Sequence, residues 1–377
     1  MRMQKTLLSV AVAAGLSAAS LPAAAAPLGA TVYGDLALAL VNQGSAGAGT
    51  QSNTTLNDNV SLLGVRGDAA VMDGTKFIYD FNFILDMAHG GANPSTHLGY
   101  IGLAGPYGTV TAGRDNGLFV GMVDGSTYQT NWFYTPGMSA LQVDTAVKYV
   151  SPTYSGFQFG VQAFDLGKSA NSTTNYTVAG TYGMGPLTFG AGYTGYSKYG
   201  DGSSEYTVSS DTNQFGEPTN TFAGVLLKSK FGVSAGYKMG PFGVVAAYDS
   251  RKPSDGFVSY MPVYSAYAPD VQIGTTPAVS PQNTKAINTV MLTGSYAATS
   301  EVTLVGNWSH TNQSGTGGVK GNIVTLMASY APADNLFFSL EFQHSDKDAN
   351  ATGITGATYG GGTESSNAIA VGATYSF

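Results

Sequence analysis

The chain has 377 residues, 43% of them hydrophobic and only 10% charged, with no cysteine. So little charge is unusual for a water-soluble domain, where about a quarter is typical, and the lack of cysteine excludes disulfide and thiolate chemistry. The formal net charge of −7 disfavours nucleic acid as a partner.

Arg2 and Lys5 precede an apolar stretch from Thr6 to Leu21 and the small residues Ala23 to Ala26. That is the layout of a secretory leader. Residues 1–25 are expected to be a signal peptide, cut after Ala24 or Ala25, because Pro27 obstructs a cut directly before it. Of the 16 basic residues, loss of Arg2 and Lys5 leaves 14 against 23 acidic ones, a mature net charge of −9. Beyond residue 26 no apolar run is long enough for a membrane helix, and residues 26–377 read as one domain.

The recurring signal is period two, the mark of a strand. Alternating segments are predicted at 31–43, 60–69, 75–86, 97–104, 108–114, 142–150, 157–165, 175–183, 187–196, 225–238, 242–250, 285–297, 301–312, 320–331, 335–345 and 366–377. That gives about sixteen strands, an even number as a single-chain outer-membrane barrel requires. Connections alternate short and long. The short ones, such as Gly105-Pro106-Tyr107, Met184-Gly185-Pro186 and Met239-Gly240-Pro241, carry Gly, Pro and Asp as turn residues. The long ones are expected at 44–59, 87–96, 115–141, 166–174, 197–224, 251–284, 313–319 and 346–365. Short periplasmic turns and long extracellular loops are the two sides of such a barrel.

In the last segment Ile369, Val371, Ala373, Tyr375 and Phe377 share one face, and Ala370, Gly372, Thr374 and Ser376 the other. A terminal apolar strand needs a partner for its edge, and Thr31 to Leu40 offers one. The fold class is therefore all-β: a transmembrane antiparallel barrel, apolar outside and polar within. Tyr149, Tyr182, Tyr237, Tyr296, Tyr330 and Tyr375 each stand near the short-turn end of a strand. Phe157, Phe189, Phe242 and Phe338 open the following ones. The pattern predicts an outward aromatic girdle.

Leu63-Gly64-Val65-Arg66-Gly67, the run from Ile101 to Arg114, Tyr149-Val150-Ser151-Pro152 with Ser155-Gly156-Phe157, and the terminal Tyr375-Ser376-Phe377 occur in that order. Together they resemble the Gram-negative general porins of the beta-proteobacterial type. The resemblance implies a sixteen-stranded, water-filled homotrimer in the outer membrane, among lipid and lipopolysaccharide, whose third long loop folds inward. It also implies that Tyr375 and Phe377 form a signal read by the barrel-insertion machinery. This chain departs from the family in Asp68-Ala69-Ala70, where an acidic pair is usual, and in Asp115 after Arg114, where Gln is commoner.

A Lys or Arg at the lipid midplane costs about 2–4 kcal/mol, so the charged faces should line water. Arg66, Lys76, Asp80, Asp144 and Lys148 fall on such faces; Arg114 lies on a strand that alternates poorly. The segment 115–141 holds Leu118, Phe119, Val120, Met122, Val123, Trp132, Phe133 and Tyr134. So apolar a loop is expected to tuck into the lumen, with Asp115 and Asp124 facing Arg66, Lys76, Arg114 and Lys148 across the narrowest point. The function expected is passive diffusion of ions and small hydrophilic solutes with mild charge selectivity. The alternative is a channel preferring a sugar or organic acid, against which the outward tyrosines weigh.

Other readings are weaker. Gly190-Ala191-Gly192-Tyr193-Thr194-Gly195 matches G-x-G-x-x-G, but no helix follows, so it is read as small lumen-lining residues rather than a dinucleotide site. The four histidines offer no nucleophile-base pair and no metal-ligand spacing; neither an enzyme nor any cofactor or metal is expected.

Overall fold

The computed structural model describes residues 29–43, 53–88, 94–124, 130–133, 142–166, 175–196, 227–253, 262–265, 268–275, 285–315, 320–348 and 365–377. The expected leader, residues 1–25, lies outside the described residues. So do parts of the long loops, including residues 125–129 and 134–141 of the third.

The strands are β1 (Gly29–Gln43), β2 (Asn53–Asp58), β3 (Leu62–Met72), β4 (Thr75–Ile84), β5 (Ser95–Gly105), β6 (Gly108–Asn116), β7 (Gln142–Val150), β8 (Phe157–Phe164), β9 (Asn175–Met184) and β10 (Leu187–Gly195). They continue with β11 (Leu227–Met239), β12 (Phe242–Pro253), β13 (Pro262–Ser265), β14 (Ala268–Thr275), β15 (Ile287–Ala297), β16 (Val302–Gln313), β17 (Lys320–Ala333), β18 (Leu336–Ser345) and β19 (Ser366–Ser376). β13 and β14 pair only with each other. The remaining seventeen form one antiparallel sheet. β3 pairs with β1 over Gly29–Asp35 and β2 with β1 over Leu38–Gln43. These two therefore share one place in the sheet, and the closed barrel has sixteen strand positions.

Closure comes from the ends of the chain. β19 pairs with β1 from Asp35↔Ser376 to Gln43↔Ala368. Beyond it Gly34 and Phe377 exchange two backbone hydrogen bonds of 3.1 and 3.0 Å. The terminal edge thus has its partner, as the alternation of the last twelve residues requires.

The faces are inverted relative to a water-soluble barrel. Val32, Leu40, Val65, Phe81, Phe83, Ile101, Leu103, Leu292, Leu340 and Val371 are exposed on the outer face. Tyr182, Tyr237, Tyr296, Tyr330 and Tyr375 are exposed beside the short turns, as are Phe157, Phe189, Phe242 and Phe338. Phe242 stacks on Tyr296 with centroids 4.7 Å apart, an offset geometry favoured by ring quadrupoles. The short turns use left-handed glycines, Gly185 at φ 57° and Gly240 at φ 55° in the two Met-Gly-Pro turns.

Three local expectations are corrected. Asn53–Asp58, read as loop, is a strand; its sequence Asn-Thr-Thr-Leu-Asn-Asp lacks an apolar alternation, and the backbone of β1 supplies its pairing. Part of the long connection over 251–284 is the β13–β14 hairpin. Val143, which strict alternation places opposite Asp144 and Lys148 and so towards lipid, is buried with Ala146 and Phe164, because Thr145 at φ 40° interrupts the alternation of β7.

Candidate functional site on the inner wall

Two walls of the barrel hold the third loop. Leu118, Phe119, Met122 and Val123 are buried against Ala179 on β9, around a single wide helical turn at Val120–Asp124. The same wall carries Gly160 on β8, Gly190 and Gly192 on β10 and Gly232 on β11, on the face opposite the exposed Phe159, Phe189, Tyr193 and Phe231. The second wall is β18, β19 and β1, where Trp132 and Phe133 pack on Ala39, Val41, Ala368 and Ala370. On one side β12 and β15–β17 separate the two walls, and on the other β3–β7. They therefore lie almost opposite one another.

Each landing place has a polar fastening. On the first wall the Lys230 ammonium lies 2.9 Å from Asp124 and 3.7 Å from Asp249. It also sits 4.4 Å from the centre of the Phe119 ring. Asp249 pairs with Arg251 at 3.1 Å, and Arg251 donates to Thr289 Oγ1 at 2.7 Å. On the second wall the Glu341 carboxylate, fully buried, accepts the backbone N–H groups of Asn131 at 2.6 Å, Trp132 at 2.9 Å and Phe133 at 3.1 Å. The indole N–H of Trp132 donates to Ser339 Oγ at 2.8 Å. Asn59, in the break between β2 and β3, donates to the Asn131 carbonyl at 2.6 Å. The break itself is braced by Asp58, which accepts from Ser61 N at 2.7 Å and Met87 N at 2.9 Å.

The remaining charges line β3–β7. Arg66 and Asp80 are register neighbours on β3 and β4. The Tyr33 hydroxyl donates to Asp80 at 2.5 Å and accepts from Asn82 at 2.7 Å. The Arg66 guanidinium lies over the Tyr33 ring, 4.7 Å from its centre. Asp115 pairs with Lys148 at 2.8 Å and accepts the Thr111 hydroxyl. Arg114 pairs with Asp144 and donates from Nε to the His97 carbonyl at 2.9 Å. At Arg114 the β6–β7 register shifts: between Gly113↔Ala146 and Asp115↔Val143 the two residues Asp144 and Thr145 oppose Arg114 alone, while on the β5 side Arg114 stays in register with Gly99, on the face of the outward Ile101 and Leu103. Lys76 pairs with Asp68 at 2.9 Å beside the β3–β4 turn, so it stands at the short-turn rim.

The pairing across the lumen therefore differs from the expectation. Asp115 does meet Lys148, but both belong to the wall, on adjacent strands. Asp124 meets Lys230, not Arg66, Lys76, Arg114 or Lys148. Lys230 and Glu341 were missed, although alternation assigns each to the interior face, Lys230 beside Gly232 and Glu341 between Ser339 and Gln343. At the chain end Tyr375 and Phe377 are exposed on the outer face with ring centres 6.4 Å apart.

Among known proteins, the family described as Gram-negative porin matches residues 9–260, more than half the chain. The major outer membrane protein P.IA of Neisseria meningitidis serogroup B is 29% identical over 141 residues, 35% of this chain. That match spans only 34% of the relative's length. The anion-selective porin of Comamonas acidovorans superposes with a TM-score of 0.65 at 16% identity, covering 93% of this chain and 100% of that one. The trimer form of OmpT from Vibrio cholerae superposes at 0.63 and 14% identity, covering 93% and 99%. At such identities the structures establish a common fold, and the family match carries the assignment. The sixteen-position barrel with its lipid-facing exterior is an outer-membrane protein, and the chain belongs to the Gram-negative porin family.

Proposed function

We propose that the barrel is a channel for passive diffusion of ions and small hydrophilic solutes, narrowed by the segment 115–141 folded into its bore. One observation carries this reading: apolar residues cover the outside of a closed barrel while Arg66, Asp80, Asp115 and Lys148 fall on the opposite face of their strands. In lipid that inversion satisfies every strand and leaves the charged wall to water. Tyr375 and Phe377 would serve as the terminal insertion signal. The likeness to an outer membrane protein solved in a trimer form supports a homotrimer as the working assembly, standing among lipid and lipopolysaccharide.

Selectivity in this reading is mild. Arg114, Lys148 and Lys230 are each compensated by an aspartate on or against the wall, so their fields cancel over short range. Arg66 is exposed and has no ion pair among the described residues. One charge about 6 Å from a passing ion in wet surroundings contributes roughly 0.7 kcal/mol, a factor of about three.

Planar-bilayer recording across a salt gradient tests both points. The purified protein should give stepwise openings, and Arg66→Glu, a change of two charges, should move the permeability ratio about tenfold towards cations. A sealed bilayer would refute the channel; an unmoved reversal potential would remove Arg66 from the ion path.

A further inference from the structure

The loop rests on two walls that have been stripped of side chains where it touches them. We infer that Gly160, Gly190, Gly192, Gly232 and Gly372 are the positioning residues that fix how far the third loop stands off the wall, and so set the width of the bore. The inference rests on the channel reading above and adds to it the residues that determine solute size.

The reasoning starts from what a Cβ at each position would meet. At Gly160 it would lie 2.7 Å from Leu118 Cδ1, at Gly192 2.9 Å from Val123 Cγ2 and at Gly232 2.8 Å from Phe119 Cζ. At Gly190 it would strike the Met122 carbonyl oxygen, and at Gly372 the indole of Trp132, closer still. The nearest contact at each is with the loop; Gly160 would also meet the Tyr149 carbonyl at 2.9 Å and Gly190 the Ser234 hydroxyl at 2.6 Å, both on the wall. None of these glycines has the left-handed backbone that would itself call for glycine, unlike Gly185 and Gly240 in the turns. Glycine within a strand sacrifices about 0.5–1 kcal/mol relative to alanine, so its presence needs another reason. Clearance supplies one. With no side chain beneath it, the loop lies on the strand backbone, and the remaining cross-section is left to water.

Adding a methyl group must therefore lift the loop. Its ends are held by Lys230 and Glu341, so a lifted loop stays attached and moves towards the axis. Larger solutes feel that first, since discrimination follows pore diameter. At Gly192 the added carbon meets loop side chains, a methyl of Val123 at 2.9 Å and the edge of the Phe119 ring at 3.1 Å, the nearer of which a second substitution can trim.

Liposome swelling with a monosaccharide and a trisaccharide provides the test, with heat-modifiable mobility confirming the folded barrel. Gly192→Ala should slow the trisaccharide relative to the monosaccharide by roughly twofold or more. Gly294→Ala, a strand glycine with open space around it, should leave the ratio unchanged. Adding Val123→Ala to Gly192→Ala removes the nearest colliding methyl, leaving the Phe119 edge at 3.1 Å, and should bring the ratio back towards the original, which a general loss of stability would not do. An unchanged ratio in Gly192→Ala, faster trisaccharide entry, or failure of Val123→Ala to bring it back would overturn the inference. Vesicles that do not swell with the unaltered protein would instead refute the channel reading.

Discussion

Lys230→Met should weaken the barrel by roughly 3–5 kcal/mol, the usual penalty for removing one member of a buried ion pair. Lys230 is 2% exposed and stands between two buried carboxylates, Asp124 at 2.9 Å and Asp249 at 3.7 Å. Methionine keeps the volume and the contact with Phe119 but leaves the carboxylates without the cation between them. Asp249 retains Arg251 at 3.1 Å, so relief is needed first at Asp124, which loses the nearer of the two Lys230 contacts. The loop can supply that relief by leaving the wall and letting water reach the carboxylate. The expected result is a lower midpoint for urea unfolding in detergent, together with larger and noisier single-channel openings. Pairing Lys230→Met with Asp124→Leu removes both charges of the pair and should recover most of the stability, since an apolar replacement of a buried pair is often neutral. A double variant no better than Lys230→Met alone would show that Asp124 and Lys230 are not coupled.

Glu341→Ala is expected to release the other end of the loop. Three consecutive backbone N–H groups, on Asn131, Trp132 and Phe133, lose their acceptor. Each donor left buried without a partner costs about 1–3 kcal/mol, so the segment gains by moving into water. Trp132 reports the event directly. The chain has two tryptophans, and a Trp308→Phe background leaves Trp132 as the single tryptophan, excited selectively at the red edge beyond tyrosine absorption. Glu341→Ala should shift its emission to the red and raise conductance. Glu341→Gln retains one acceptor oxygen and should fall between the two. An unshifted Trp132 in Glu341→Ala would mean that apolar packing on Ala39, Val41, Ala368 and Ala370 holds the segment without the carboxylate.

The strands and their inversion were legible because lipid imposes a strict rule on each of them. Val32, Val65, Phe81, Ile101 and Val371 all obey it, and so do the tyrosines beside the short turns. Where a strand is held by something other than its own pattern, the rule loses sight of it. Asn53–Asp58 exposes Leu56 alone among polar residues and is a strand because β1 offers it a partner. Bulges and positive φ angles have the same effect, as at Arg114 and at Thr145, which turns Val143 inward.

The site was legible in composition but not in connection. Counting apolar residues in 115–141 suggests an inward loop, yet nothing local says that Asp124 lands on Lys230 or that Trp132 lands on Gly372. Those contacts join residues separated by 106 positions in one case, and they depend on which walls the loop reaches. Gly190 and Gly192 of β10 were read as small residues on the inner face; Gly160 of β8 and Gly232 of β11 were not singled out. Their meaning as a bed for Leu118, Phe119 and Val123 required the loop to be placed first.

Because the chain has no cysteine, the inversion itself can be tested by introducing single cysteines into protein held in vesicles. Arg66→Cys and Tyr100→Cys stand on the inner face, and their neighbours Val65→Cys and Ile101→Cys on the outer one. A membrane-impermeant charged thiol reagent should modify the first pair and reduce conductance while sparing the second. Labelling of Val65→Cys and Ile101→Cys with protection of Arg66→Cys and Tyr100→Cys would mean that the barrel faces the other way, with its charged residues shut off from water.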